Sequence, residues 1–125
     1  MILVDTSVWV DHFRRADERL IALLGENRVL MHRFVVGEIA CGSPRNRTTT
    51  LKLLQSLPAA TAAADDEALH FIETHAAWGK GLGYVDVHLL ASVTLTQGAQ
   101  LWTRDRSLAR MAAALGRDFN DAATH

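Results

Sequence analysis

Four acidic residues in this sequence stand where a carboxylate is available for chemistry. Asp5 follows the apolar run "MILV", Asp105 follows "QLWT", and Asp86 lies in "GYVDVHLLASV", which reads as the start of a helix. Glu38 lies on an otherwise apolar helical stripe and needs a partner there, because an unpaired buried carboxylate is costly. Taken singly, Asp5 and Asp105 are explained as helix caps and Glu38 as a peripheral acid.

Asp86 is the least expected of the four. Helical spacing places it on the same face as Leu89, Leu90 and Val93, which should enter the core. The helix dipole stabilises a first-turn acid by about 0.3–1 kcal/mol, which explains why an acid is tolerated there. It does not explain why this acid points with the apolar residues.

Together the four acids form a pattern. Three of them follow strands or begin helices at what should be one edge of one sheet, where open parallel sheets bind their ligands. Two carboxylates about 4 Å apart repel by on the order of 4 kcal/mol at an effective dielectric constant of 20, and a divalent cation relieves that repulsion. Hard oxygen ligands favour Mg²⁺ or Mn²⁺ over zinc. The predicted chemistry is metal-assisted hydrolysis of a phosphodiester.

The elements that must position these acids alternate between strand and helix. Short apolar runs predict strands at 1–4, 28–32 and 99–103, with 59–64 ambiguous and a last edge strand at 117–121. Periodicity and capping signals predict helices from Asp5 or Thr6 through Phe13, and at 17–24, 34–42, 47–57, 65–78, 84 to about 98, and 106–115. This alternation predicts an α/β fold with a mostly parallel sheet.

Composition narrows the class of protein. A chain of 125 residues suits one domain, here 1–125, and the net charge of −1 requires any anion-binding surface to be local. The single cysteine, Cys41, excludes an internal disulfide. The first residues lack a basic signal-peptide region and no apolar stretch reaches membrane-span length, so we expect a cytoplasmic location.

Four stretches, "ILVDTSVWVD", "VVGEIACG", "GLGYVDVHLLASV" and "LWTRDRSLARMA", resemble the PIN-domain ribonucleases, above all the VapC toxins of bacterial toxin–antitoxin pairs. They occur in the family's order and approximate spacing over nearly the whole chain, although 43–64 carries no family signature. The resemblance implies a three-layer α/β/α, Rossmann-like fold and an Mg²⁺- or Mn²⁺-dependent endoribonuclease toxin. It also implies a homodimer and neutralisation by a cognate VapB-like antitoxin. The family's acidic quartet maps to Asp5, Glu38, Asp86 and Asp105, and its hydroxyl positions map to Thr6 or Ser7 and to Thr103.

The mechanistic hypothesis makes Asp5 and Asp86 the first metal ligands. Glu38 and Asp105 complete the site, directly or through metal-bound water, and by family resemblance the products carry a 3′-hydroxyl and a 5′-phosphate. Nine basic residues are candidates for contacts with RNA phosphates. Lys80, Arg104 and Arg106 are the first choices because they flank the acidic motifs. The other six are Arg14, Arg15, Arg45, Arg47, Lys52 and Arg110.

Other functions fit the sequence less well. A non-catalytic PIN-fold module that binds RNA or protein would not require four acids. A phosphoacceptor receiver domain requires a lysine near its last strand, and neither Lys52 nor Lys80 is placed there. Zinc is disfavoured because His70 and His75 are five positions apart, and because His88 lies about 200° around the helix from Asp86. The loop "GKGLG" lacks the spacing of a nucleotide-binding loop.

Overall fold

The computed structural model describes residues 1–120, and its centre is a three-stranded parallel sheet. The strands are β1 (Ile2–Val4), β2 (Val29–Leu30) and β3 (Gln100–Trp102), in the order β2-β1-β3. Ile2 pairs with Val29 on one side and with Gln100 on the other. Nearly every strand residue is buried, which fits the continuous apolar runs in the sequence, since parallel strands are covered on both faces.

Helices connect and cover these strands. The predicted α/β fold with a parallel sheet is confirmed, and every predicted helix is present. Most of the helices end two to four residues earlier than the periodicity predicts, as expected where apolar residues continue past the last helical turn. The helices of residues 1–120 are α1 (Thr6–Arg14), α2 (Glu18–Gly25), α3 (Arg33–Ala40), α4 (Arg47–Gln55), α5 (Asp65–Thr74), α6 (Tyr84–Leu95) and α7 (Arg106–Ala114).

The strand order creates a switch point beside β1. The chain leaves β1 for β2 on one side, and β3 pairs on the other side, so the connections diverge at the carboxyl end of β1. Such a divergence opens a crevice at the carboxyl edge of an open parallel sheet. Asp5 follows β1 and Asp105 follows β3, so the fold brings two of the candidate acids to this crevice.

Helix α6 is the most deeply packed helix. All seven residues from 87 to 93 are buried, including the polar side chains of His88 and Ser92. The predicted burial of Leu89, Leu90 and Val93 is confirmed, but their face is not the only apolar one. Because α6 is buried on several faces, the position of Asp86 on the face of Leu89, Leu90 and Val93 does not by itself distinguish it from its neighbours.

The structure settles the ambiguous segment 59–64 and reduces the extent of the expected edge strand at 117–121. Within the described residues, the ambiguous segment 59–64 makes a single bridge, between Ala59 and Met31. The expected edge strand at 117–121 is likewise reduced to one bridge, between Asp118 and Leu101; its last residue and the tail lie outside the described residues. Within residues 1–120, no helix has the length and apolar character needed to cross a membrane.

Candidate active site

Asp5 is held rigidly at the end of β1. The residue is only 7% exposed, and its Oδ2 accepts hydrogen bonds from Ser7 Oγ at 2.7 Å and from Thr103 Oγ1 at 2.8 Å. The Ser7 backbone N–H, at 3.4 Å, adds the helix-capping contact. Asp5 therefore does both things that the sequence allowed, since it caps α1 and faces the crevice. Its Oδ1 accepts no hydrogen bond from residues 1–120 and is open to a ligand.

Glu38 reaches the same region from the outer side of α3. Thr6 Oγ1 donates a 2.6 Å hydrogen bond to Glu38 Oε1, which joins the first turn of α1 to α3. The two predicted hydroxyl positions, Thr6 and Ser7, are thus both used, each on a different carboxylate. Glu38 is exposed, so it needs no buried partner of the kind expected for an acid on an apolar stripe.

Asp86 is the third residue of α6 and its Oδ2 accepts the backbone N–H of Gly83 at 2.9 Å. Burial raises the pKa of Asp86 above its ordinary value, and the hydrogen bond from Gly83 only partly offsets that rise. The negative charges of Asp5, Asp105 and Glu38 raise the pKa further. The structure therefore places the three other predicted acids within electrostatic range of Asp86.

Asp105 begins α7 and caps it through a 2.9 Å hydrogen bond from the Leu108 backbone N–H to Oδ1. Its own backbone N–H donates to Thr103 Oγ1 at 3.1 Å. Thr103 therefore contacts two of the acids at once, the carboxylate of Asp5 and the backbone of Asp105. Nearby, Gly81 has a φ of +77°, which favours glycine, and a Cβ atom there would lie 2.9 Å from Ser107 Oγ at the start of α7.

The four carboxylates share one arrangement. Each has one oxygen fixed by a hydrogen bond, and the second oxygen receives none from the described residues. The ion pairs within residues 1–120 involve other acids, so no lysine or arginine neutralises this cluster. Within the same residues, no three histidine, cysteine or acidic side chains are grouped as the ligands of one ion. The donor set suits a hard cation that is held by one or two carboxylates and keeps its waters.

Arg104 forms two ion pairs that were not predicted from the sequence. Its guanidinium donates to Asp11 at 2.7 Å and to Asp17 at 2.6 Å, which ties the segment after β3 to α1 and to the start of α2. Although burial alone would raise the pKa of Asp17, hydrogen bonds from Leu20 and Arg104 outweigh that effect and lower it. The predicted phosphate contact of Arg104 competes with these two carboxylates. Nothing in the spacing of the sequence signalled this arrangement.

Lys80 and Arg106, the other two cations predicted to contact phosphate, are exposed. Lys80 lines a cleft of about 550 Å³ together with Ser107 and Arg110. Ser107 follows Asp105 by two positions, so this cleft adjoins the acidic cluster. The structure thus places Lys80 and Arg110 in one cleft that reaches the first turn of α7, the helix that Asp105 caps.

Behind Asp86, α6 carries a buried polar group that the sequence did not predict. His88 is fully buried, with Nε2 3.4 Å from Asp65 Oδ1, and its ring packs edge-on against Phe34 and Tyr84. His32 is also buried, and its Nδ1 accepts the backbone N–H of Phe34 at 2.9 Å. Burial lowers the pKa of His32 to about 4, with further lowering by Arg33 and His88.

Comparison with known proteins agrees with the fold. A family model for the PIN domain matches residues 2–114, and the chain belongs to this family. Ribonuclease VapC32 from two strains of Mycobacterium tuberculosis is 47% identical over 116 residues, which cover 93% of this chain and 94% of the relative. This similarity places the chain with the VapC-type members of the family. The crystal structure of FitAcB from Neisseria gonorrhoeae shares the fold, with a TM-score of 0.58 and 22% identity over 90% of this chain and 94% of that chain.

Proposed function

We propose that the chain is a divalent-metal-dependent endoribonuclease and the toxin of a type II toxin–antitoxin pair. The observation that carries the proposal is the cluster of Asp5, Glu38, Asp86 and Asp105, in which the charges of the other three act on Asp86 and which has no ion pair to a basic side chain among residues 1–120. The kinship with Ribonuclease VapC32 supports RNA as the substrate.

Asp5 and Asp86 are the proposed direct ligands of Mg²⁺ or Mn²⁺. They are the two least exposed of the four, and each keeps one oxygen free of hydrogen bonds from the described residues. Glu38 and Asp105 complete the site, directly or through water. When bound, the ion would polarise a phosphoryl oxygen and lower the pKa of water.

The protein's own part in the reaction is positioning and charge. Ser7 and Thr103 hydrogen-bond one oxygen of Asp5, and Thr6 hydrogen-bonds one oxygen of Glu38. These bonds restrict the side-chain rotamers, so the second carboxylate oxygens are already oriented before a ligand binds. One of the acids orients or deprotonates the attacking water. Because burial and the neighbouring carboxylates raise the pKa of Asp86, a bound cation would favour the charged form of this residue.

Three partner and location assignments go with this function as proposals. A VapB-like antitoxin is proposed as the inhibitor, a homodimer as the assembly and the cytoplasm as the location. A single domain over 1–125 remains a prediction.

A cleavage assay with a matched pair of variants tests the activity. Asp86→Asn and Glu67→Gln both alter an acid at the third helical position that accepts a backbone N–H at 2.9 Å, but Glu67 lies on α5, outside the acidic cluster. With Mg²⁺, the unmodified chain and Glu67→Gln should cut RNA to 5′-phosphate products, and Asp86→Asn should lose at least about 100-fold in rate. Cleavage that survives chelation of all divalent ions, or full activity of Asp86→Asn, would contradict the proposal.

A further inference from the structure

Two clefts that carry cations open on the surface around the acidic cluster. The first, of about 330 Å³, lies between α1 and the segment after α3, and its walls include Phe13, Arg14, Glu38 and Arg45. The second, of about 550 Å³, is the one lined by Lys80, Ser107 and Arg110. Both volumes lie in the range of ligand pockets, about 300–1,000 Å³.

The topology puts these clefts on opposite flanks of the acids. Helix α3 follows β2 and α7 follows β3, and these strands lie on either side of β1. Glu38 forms part of the first cleft's wall, whereas the second cleft includes Ser107, two positions after Asp105. A line from one cleft to the other therefore leads from Glu38 on the β2 side of β1 to the first turn of α7, beside Asp105, on the β3 side.

The cations in these clefts are available to an external anion. Within residues 1–120, the ion pairs to arginine involve Arg28 and Arg104, and none involves Arg14, Arg45, Lys80 or Arg110. All four are exposed. On a chain with a net charge of −1, two pairs of unpaired cations on either side of an anionic centre suit a ligand with several separated negative charges.

The two clefts differ in what else they offer. Phe13 in the first cleft packs beside Trp9, with ring centroids 6.0 Å apart, and Ile39 and Pro44 extend the apolar wall. A base can rest against such a wall, because stacking tolerates any base. The second cleft offers Met111 and Ala114 but no aromatic ring, so its recognition rests on Lys80, Arg110 and the Ser107 hydroxyl.

We infer that a single strand of RNA crosses the site from the Phe13–Arg14–Arg45 cleft to the Lys80–Arg110 cleft. The first cleft holds a base and its phosphate, and the second holds a phosphate on the other side of the bond that is cut. The assignment of RNA rests on the proposed function. It gives Arg14, Arg45 and Arg110 a role beside Lys80, and it leaves Arg104 to its internal ion pairs.

Salt-dependent binding measures the path without any cleavage. Fluorescence anisotropy of a short labelled single-stranded RNA should be followed against salt concentration in the Asp86→Asn background, with no divalent ion present. Adding Lys80→Ala, Arg110→Ala, Arg14→Ala or Arg45→Ala should each flatten the slope of log affinity against log salt by about 0.7. Lys52→Ala and Arg15→Ala remove exposed charges outside both clefts and should leave the slope unchanged.

Phe13→Leu provides a second readout, since leucine keeps an apolar side chain against Trp9. It should weaken RNA binding several-fold without changing the salt slope, because stacking releases no counterions. Thermal melting of each variant checks that the fold is kept.

The outcomes separate this inference from the proposed function. Unchanged slopes in the four cleft variants, beside normal metal-dependent cleavage by the unmodified chain, would overturn the path alone and would leave these clefts to a protein partner. Flattened slopes without any metal-dependent cleavage would support the path and overturn the nuclease.

Discussion

Thr103 Oγ1 donates a 2.8 Å hydrogen bond to Asp5 Oδ2, which joins the carboxyl ends of β3 and β1 across the crevice. The same hydroxyl oxygen accepts the backbone N–H of Asp105 at 3.1 Å. One small side chain thus fixes two acids that are 100 positions apart in the sequence, and it leaves the other oxygen of Asp5 free. Thr103 is a positioning residue by this geometry.

Replacing that hydroxyl should impair metal binding more than stability. Thr103→Val keeps the shape and removes both hydrogen bonds, so we expect Mn²⁺ affinity and RNA cleavage to fall on the order of 10- to 100-fold. Thr103→Ser should retain most of both. Thr94→Val, which removes a hydroxyl bonded to the Ala91 carbonyl on α6, is the matched control. Equal metal affinities in the Thr103→Val and Thr94→Val proteins would show that Thr103 does not position Asp5.

The Arg104 ion pairs should contribute measurably to stability. Arg104→Met keeps an apolar stem but leaves Asp11 and Asp17 without their cation, and the Asp17 side chain is only 19% exposed. We expect a loss of about 1–2 kcal/mol in the free energy of unfolding, measured by urea denaturation.

Arg28→Met is the matched control for this loss. It removes a surface ion pair to Glu26, at 3.2 Å, and should change stability by less than about 0.5 kcal/mol. Equal effects of the two substitutions would assign Arg104 no special structural role.

Stability should fall on acidification because of His32. Burial lowers the pKa of His32 from 6.5 to about 4. Between about pH 4 and pH 6.5, His32 is therefore protonated in the unfolded chain but neutral in the folded chain. The stabilisation is complete above pH 6.5 and is lost as the pH falls towards 4, by at most about 3 kcal/mol.

His32→Asn should flatten this acid-side loss, since asparagine can still cap α3 by accepting the Phe34 N–H. The exposed His70 gives the control variant His70→Asn, which should keep the slope of the unmodified chain. Urea midpoints measured across this pH range decide the matter. An unchanged slope in His32→Asn would mean that other groups cause the acid-side loss.

The positions of Asp5, Thr103 and Asp105 could be predicted from the sequence because these residues follow strands. The runs "MILV" before Asp5 and "QLW" before Thr103 and Asp105 predicted parallel strands whose carboxyl ends must meet. The N-cap roles of Asp5 and Asp105 did not compete with the functional reading, since a cap uses only one carboxylate oxygen. Local chemistry and sheet topology therefore sufficed to place these residues.

What the sequence did not reveal depends on contacts between distant segments. The partners of Arg104 lie 93 and 87 positions away, and no local pattern selects them. The exposure of Glu38 and the burial of His88 depend on how α3 and α6 pack, which periodicity alone does not determine. The extent of pairing at 59–64 and 117–121 was not predictable, because each single bridge depends on where a distant residue, Met31 or Leu101, comes to lie.

The central claim is that the acidic cluster binds a divalent cation, with Asp5 and Asp86 as its direct ligands, and calorimetric titration with Mn²⁺ tests it most directly. The unmodified chain and Glu67→Gln should bind Mn²⁺ alike, and Asp86→Asn should bind at least about tenfold more weakly. Because burial raises the pKa of Asp86, the affinity of the unmodified chain should also fall as acid protonates that carboxylate. Equal Mn²⁺ affinities for Asp86→Asn and Glu67→Gln would contradict the account.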